Sequence, residues 1–451
     1  MLETRVCVIG AGPSGIAALK NLLDLNIAVQ CYDLNDQVGG NWIFSEKTSH
    51  SSVFETTHII SSKLLSQYED YTWDDHYKNT GTIVSNYPSH QELKDYFQAY
   101  AAHFGLLPQI QFKTKVLSCE LVNENWKVEI EQSGVFQTEI FTHLVVCNGH
   151  HWNPRYPSYS GMEEYSGKLI HSHDYKNAAP FKGKSILVIG GGNSACDVAV
   201  ETSRVARRVD ISWRRGYRIL PKMFFGIPSD MVMSRFVKFK LPLWIRAKLA
   251  DMTVRIITGP NKNYGLPEPE ISVVGSHPTI NDELLYRINH GKIKPRLDIK
   301  SFEKDKVVFK DNTTEQYDYV IACTGYIITH PFFEKSLIDF SEGKVPLYLK
   351  MLHGDIKNLY FIGLFQPLGC IWPGSELQSK IMAREIAGLW KRPANIKEKI
   401  KDEIQNPHYK QIDTPRHSIT VDFHKFRQEL LKHLPRNFRN KSGINERSNA
   451  N

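Results

Sequence analysis

Gly10-Ala-Gly-Pro-Ser-Gly15 and Gly190-Gly-Gly-Asn-Ser-Ala195 are the two stretches whose reading decides the fold. The first follows the apolar run Arg5-Val-Cys-Val-Ile9 and leads into Ile16-Ala-Ala-Leu-Lys-Asn-Leu-Leu23. The second follows Ser185-Ile-Leu-Val-Ile189 and leads into Cys196-Asp-Val-Ala-Val-Glu201. Each reads as strand, tight turn and helix. In such a turn the first glycine (Gly10, Gly190) makes the bend and the second (Gly12, Gly192) lets a pyrophosphate reach the backbone. The third position (Gly15, Ala195) packs helix on strand. Pro13 and Ser14, and likewise Asn193 and Ser194, then open the helices, where free N–H groups and the helix dipole attract phosphate. A single copy is a weak signal that a plain tight turn satisfies. Two copies in full context predict an α/β protein with two Rossmann-like dinucleotide-binding domains.

The strand after each turn indicates the nucleotide. Ala28-Val-Gln-Cys-Tyr32 ends in Asp33, an acid placed to accept hydrogen bonds from a ribose 2′-hydroxyl, which suits FAD or NAD and repels a 2′-phosphate. Val209-Asp-Ile-Ser-Trp213 ends instead in Arg214-Arg215-Gly216. Guanidinium groups pair bidentately with phosphate oxygens, so the second site is expected to take NADPH.

Composition agrees with an enzyme rather than a polyanion binder. A formal net charge of +8 over 451 residues is modest, and the basic residues are spread along the chain, so no nucleic-acid partner is expected. The seven cysteines stand singly with no Cys-x-x-Cys, which argues against a zinc site, any other metal site or a redox-active disulfide and for a reducing compartment. The N-terminus enters its first strand without an export signal, and the apolar region 241–257 is broken by Arg246, Lys248, Asp251 and Arg255. A cytoplasmic protein without a transmembrane segment, as monomer or homodimer, is the expectation.

The order of motifs predicts nesting. Residues 1–170 form the first part of the FAD domain, with a helix over Gln91–His103 and a strand Thr142–Gly149 ending in glycine. Residues 171–325 form an inserted NADP domain, closing on Asp318-Tyr-Val-Ile-Ala-Cys-Thr-Gly-Tyr326 and interrupted by a helical insertion at about 223–270. Residues 326–451 return through Asn358-Leu-Tyr-Phe-Ile-Gly363 and a helix from about Glu376 to complete the FAD domain, and end in a basic tail.

Several blocks carry a family resemblance. Tyr165-Ser-Gly-Lys-Leu-Ile-His171-Ser-His-Asp-Tyr175 resembles the F-x-G-x-x-x-H-x-x-x-[FY] fingerprint of flavin-containing monooxygenases, with Tyr for Phe at the first position. Gly39-Gly40-Asn41-Trp42 resembles the family's G-G-x-W. Thr279-Ile-Asn-Asp-Glu-Leu284, Thr324-Gly325-Tyr326 and Phe361-Ile-Gly-Leu-Phe-Gln-Pro-Leu-Gly369 match later blocks in order. The resemblance implies FAD in the first site, NADPH in the second and dioxygen as co-substrate. It implies a 4a-hydroperoxyflavin that oxygenates a soft nucleophile to an amine N-oxide or a sulfide S-oxide. By the same resemblance, Gly40, Asn41 and Trp42 contact FAD, Thr324 and Gly325 line the cofactor sites, and Gln366 lies near the flavin.

Two departures stand out. The family's vertebrate members carry Asn shortly before a Ser-Lys pair in an active-site loop; here the loop is Glu55-Thr-Thr-His-Ile-Ile-Ser-Ser-Lys63, with Ile60 at the Asn slot and His58 as the nearby polar group. The vertebrate hydrophobic tail is replaced by Lys425-Phe-Arg and Arg436-Asn-Phe-Arg-Asn-Lys441. The altered loop leaves open Baeyer–Villiger oxygenation of a ketone, and a non-oxygenating NADPH oxidase or flavin redox sensor stands as the alternative from another class.

Overall fold

In a computed structural model, the structure describes residues 3–47, 49–238, 243–270, 272, 279–367, 369–407 and 418–441. The chain divides into two compact units. One comprises residues 1–43, 63–150 and 328–451; the other comprises 44–62 and 151–327.

The first unit is built on a seven-stranded sheet. Arg5–Ile9 lies between Ala28–Tyr32 and His143–Val146, all parallel, with Ile110–Gln111 beyond Ala28–Tyr32. On the other side Leu359–Phe361 runs parallel to His143–Val146, and the short strands Leu352–His353 and Leu347–Tyr348 finish the sheet antiparallel. The central strands are apolar on both faces, as strands covered on two sides must be. The helix Pro13–Leu23 starts with proline in its first turn, where a missing N–H costs nothing. The expected helix at Gln91 spans His90–His103, opened by a capping box between Ser89 and Glu92. The helix expected from Glu376 begins earlier and spans Trp372–Ile386. Pro373 and Gly374 look like breakers in sequence. Proline is tolerated in a first turn, and a Cβ on Gly374 would stand 2.5 Å from the Phe365 ring, so glycine is kept there for packing. A meander of Thr114–Val122, Asn125–Gln132 and Val135–Phe141, absent from the sequence reading, packs Trp126 and Phe141 into the core with Leu144 and Phe361.

The second unit has an all-parallel five-stranded sheet in the order Lys168–His171, Tyr319–Ala322, Ser185–Ile189, Arg208–Ser212, Lys294–Arg296. It takes in residues 151–170, which the motif order places in the first domain. Lys168–His171 is an edge strand hydrogen-bonded to Tyr319–Ala322, and Arg155 N–H bonds to the Gly325 carbonyl at 2.9 Å. Residues 44–62 also belong here, held by the Lys176 ammonium on the Ser51 carbonyl at 2.8 Å and by Phe54 against Tyr175. The segment 223–270 contains a short hairpin, Met223–Phe224 with Ile227–Pro228, and the helices Ser229–Lys238 and Leu243–Thr258. Part of it, 239–242, lies outside the described residues. Among the described residues no helix is long and apolar enough to cross a membrane.

Buried histidines make the first unit acid-labile. Burial lowers the pKa of His150 to about 4 and that of His330, which sits among Phe340 and Phe361, to about 3. Both are neutral in the fold and take up a proton near pH 6.5 once unfolded, so their contribution is complete above that pH. It is lost as pH falls toward 4, by about 2 kcal/mol per histidine near pH 5. The urea midpoint should therefore drop between neutral pH and about pH 5, and His330→Phe should flatten the drop. An unchanged slope in that variant would remove His330 from the account.

Candidate functional site: two glycine cradles

In the first unit the turn after Arg5–Ile9 is closed from below. Gly10 has φ +101°, and a Cβ there would stand 2.7 Å from the Cys147 carbonyl oxygen; a Cβ on Gly15 would fall 1.8 Å from the Gly10 carbonyl oxygen. Gly12 faces Gly40, where a Cβ would lie 2.8 Å from the Gly12 Cα. Two side-chain-free backbones thus meet at the N-terminus of Pro13–Leu23, which leaves amide surface for a pyrophosphate. Asp33, 6% exposed, is held at the strand end by backbone amides: Ala11 N–H donates to Oδ2 at 2.5 Å and Asn35 N–H to Oδ1 at 2.7 Å. Each oxygen keeps a second lone pair for a ribose hydroxyl. These residues fit FAD.

The returning chain packs against that turn through Ser375, Gln378 and Trp372, which the motifs did not single out. Ser14 Oγ lies 3.0 Å from Ser375 Oγ, and a Cβ on Gly363 would stand 2.1 Å from Ser14 Oγ. Gly363 N–H bonds to Gln378 Oε1 at 3.0 Å, while Gln378 Nε2 donates to the Leu349 carbonyl at 2.9 Å. Trp42 meets Trp372 edge to face at 6.1 Å. Gln366 is half-buried, with its Oε1 3.4 Å from Nε2 of the buried His150. A neutral His150 can donate there, which fixes the amide orientation.

In the second unit Gly190 has φ +130°, with a would-be Cβ 2.5 Å from the Cys323 carbonyl oxygen, and a Cβ on Gly191 would strike the Tyr217 ring at 2.3 Å. Gly192 caps the helix Asn193–Thr202 in extended conformation without a side-chain acceptor, so the first amides stay available to phosphate. The block around Thr279 holds the turn in shape. Thr279 Oγ1 donates to the Gly191 carbonyl at 2.6 Å, Asn193 Oδ1 accepts Ile280 N–H at 2.7 Å, and Asn281 Nδ2 bonds to Asp197 at 2.8 Å. Ser194 is exposed at the helix start. Beyond the strand Arg208–Ser212, Arg214 is exposed and Arg215 lies over the Tyr217 ring at 5.4 Å; neither forms an ion pair among the described residues. Two unneutralised guanidiniums at this strand end fit a nucleotide carrying a 2′-phosphate. Thr324 donates its hydroxyl to the Arg155 carbonyl, and Gly325 has φ +85°.

The comparisons agree over nearly the whole length. The family described as "Flavin-binding monooxygenase-like" matches residues 3–436. The chain is 34% identical to Flavin-containing monooxygenase 5 of Rattus norvegicus over 451 residues, covering 95% of this chain and 82% of that protein. The chain belongs to the flavin-binding monooxygenase family. This monooxygenase is also 34% identical over 406 residues to "Dimethylaniline monooxygenase [N-oxide-forming] 2" of the same species, covering 86% of this chain and 74% of that protein. Its fold matches S-allyl-L-cysteine S-oxygenase from Allium sativum with a TM-score of 0.71 at 21% identity, covering 96% and 88% of the two chains. It is an FAD-containing, NADPH-dependent enzyme acting on a small molecule with dioxygen.

The monooxygenase carries its altered loop in the second unit. His58 is exposed and its Nδ1 lies 2.9 Å from the Thr56 carbonyl of its own turn, so the ring is engaged locally. Ile60 is half-buried, and the adjoining Ser62 N–H bonds to the Asp230 carboxylate at 2.6 Å. The structure therefore anchors the loop through Ser62 and Asp230, a pairing 168 residues apart that no local motif announces.

Arg214→Ala should weaken NADPH binding about 10- to 100-fold, the range for losing one charge-assisted phosphate contact, and leave NADH binding within about threefold. Dissociation constants for the two nucleotides on the oxidised enzyme test this; equal losses would remove Arg214 from the phosphate site.

Proposed function

We propose that the enzyme oxygenates soft nucleophiles, converting tertiary amines to N-oxides or thioethers to S-oxides. Bound FAD, reduced by NADPH, supplies the electrons that split dioxygen, one atom going to substrate and the other to water. The protein's share is positional. The Gly10–Gly15 turn, Gly40 and Asp33 would hold FAD, Asn41 and Trp42 would border it, and Gln366 would be oriented beside it by His150. The Gly190–Ser194 turn with Thr279 would hold the nicotinamide nucleotide, with Arg214 and Arg215 on its 2′-phosphate and Thr324 and Gly325 beyond. The domain reading that accompanies this is an NADP-binding unit inserted in a discontinuous FAD-binding unit.

The observation that carries this reading is Ile60, half-buried where related enzymes place an amide. With an apolar side chain at that slot and one His58 ring nitrogen at the carbonyl of its own turn, the slot itself brings no hydrogen-bonding group to the substrate. A nucleophile that takes oxygen directly needs none, whereas ketone oxygenation must stabilise an oxyanion on the substrate. The same absence of Asn also leaves the Baeyer–Villiger reading as the second one, and product analysis separates them.

Reduction of the purified yellow enzyme with NADPH without air, followed by rapid mixing with oxygenated buffer, provides the test. The expected record is a long-lived flavin absorbance, distinct from oxidised and reduced flavin, that decays faster when trimethylamine or methimazole is added and yields oxygenated product. Acceleration only by a simple ketone would favour the second reading. Direct return to oxidised flavin with peroxide release, whatever is added, would discard both.

A further inference from the structure

We propose that Asn261 is a positioning residue that sets the nucleotide preference of the second site. It holds the loop 214–217 in the shape that presents Arg214 and Arg215, which makes the end of the 223–270 insertion a brace for a 2′-phosphate. The proposal rests on the reading that this site takes NADPH. Guanidiniums select a phosphate only where the backbone carrying them is fixed, because bidentate pairing tolerates little misplacement. Residues 214–217 lie between the strands Arg208–Ser212 and Ile219–Leu220, outside any sheet, so contacts from elsewhere must set their shape.

On one side those contacts come from the segment 260–269. The buried Asn261 carboxamide uses both of its amide hydrogens there: Nδ2 donates to the Tyr217 carbonyl at 3.0 Å and to the Pro267 carbonyl at 2.8 Å. Gly216 lies directly on the same segment. A Cβ on it would fall 2.3 Å from the Glu268 carbonyl oxygen and 2.4 Å from the Pro269 nitrogen. The segment is itself anchored. Buried Leu266 packs in the core with Trp213 and Ile219, its N–H bonds to the Asn261 carbonyl at 3.2 Å, and Glu268 Oε1 accepts the Lys262 N–H at 2.9 Å.

On the other side the loop touches the glycine turn. The Tyr217 ring fills the space of the side chain that Gly191 lacks and stands edge to face with Trp213 at 5.4 Å. Arg215 lies over that same ring. One ring therefore spaces the arginines from the turn, and the carbonyl of its residue is the group that Asn261 holds.

The consequence is selective for one nucleotide. The spacing from turn to arginines has to match the spacing from pyrophosphate to 2′-phosphate in NADPH, whereas NADH lacks that phosphate and does not sense it. The turn keeps its own bonds to Thr279 and Ser212 when Asn261 is changed, so pyrophosphate binding is retained.

Dissociation constants of NADPH and NADH on the oxidised, flavin-loaded full chain provide the test. Asn261→Leu keeps the side-chain volume and removes both donors; it should weaken NADPH about 10-fold and leave NADH within about threefold. Gly216→Ala, which pushes the loop off Glu268, should show the same split. In a chain already carrying Arg214→Ala and Arg215→Ala, Asn261→Leu should change NADPH affinity by less than about twofold, because it acts through the arginines. Equal losses for the two nucleotides, unchanged NADPH binding in both variants, or a full effect persisting without the arginines each overturns the proposal. NADPH binding indifferent to loss of both arginines overturns the NADPH reading beneath it, and the proposal with it.

Discussion

Gly190→Ala is expected to yield a protein that still holds its flavin but is reduced by NADPH at least about 100-fold more slowly, equivalent to roughly 3 kcal/mol. The residue has φ +130°, and an added Cβ would lie 2.5 Å from the Cys323 carbonyl oxygen. The backbone has no slack to relieve that overlap. Gly190 N–H is bonded to the Ser212 carbonyl at 3.0 Å and Cys323 N–H to the Ile189 carbonyl at 2.8 Å, so the turn is pinned to the strands on both sides. Strained φ alone costs about 1–3 kcal/mol. The remainder comes from spreading the strand ends that present the helix amides to pyrophosphate. The first glycine turn, proposed to hold FAD, belongs to the other unit, so dithionite should bleach the variant normally. Stopped-flow reduction with each reagent decides it, and a normal NADPH rate would mean that the second turn does not hold the nucleotide.

Lys380→Met is expected to destabilise the first unit by about 3–5 kcal/mol, the usual cost of leaving one partner of a buried ion pair without the other. Lys380 Nζ, 5% exposed, lies 2.8 Å from Glu376 and 3.2 Å from Asp70. Glu376 is fully buried and accepts the amide hydrogens of Glu69 at 2.6 Å and Asp70 at 3.2 Å. Asp70 also meets Lys20 at 2.6 Å, and Arg427 meets Glu69 at 2.6 Å. One network therefore ties the first nucleotide helix, the 69–70 loop, the helix Trp372–Ile386 and the helix Phe423–Lys432. Burial raises the Glu376 pKa, and Lys380 is the strongest influence against that rise. Without the lysine the carboxyl would keep its proton in the fold and release it on unfolding. Stability would then be present below about pH 4.5 and be lost as pH rises toward the raised folded value. Urea midpoints for wild type and variant should diverge more near pH 8 than near pH 5.5. A constant gap would show that Glu376 stays ionised without Lys380.

The elements read correctly from sequence share a property. Arg5–Ile9 and Ser185–Ile189 are strands whose apolar runs end at a glycine turn, and Ala28–Tyr32 is one that ends at an acid, Asp33, so both signals lie within a few residues of each other. The Asp33 carboxylate and the Arg214-Arg215 pair were legible for the same reason, since strand-end position and charge sign are local. The meander 114–141 was missed although its middle strand carries a signal, Trp126, Val128 and Ile130 alternating with Lys127, Glu129 and Glu131 before Ser133-Gly134; its outer strand mixes exposed Phe136 and Ile140 with polar residues and shows no clean alternation. The start of the helix at Trp372 was missed because a Pro-Gly pair reads as a turn, whereas here Pro373 falls in the first turn, where it is tolerated, and Gly374 is kept by the Phe365 ring packed against it.

The chain by itself determined that there are two dinucleotide turns, which carries an acid and which arginines, and in what order the family's blocks occur. These follow from backbone conformations and charges encoded within single strand–turn–helix segments. Only the tertiary structure decided that Gly363 and Ser375 close on Ser14, that His150 orients Gln366, that Asp230 anchors the loop at Ser62, and that Glu376 and Lys380 hold the 69–70 loop. Each of those joins residues far apart in sequence, or depends on a desolvated surrounding, and neither separation in space nor burial is written in the spacing of residues along a chain.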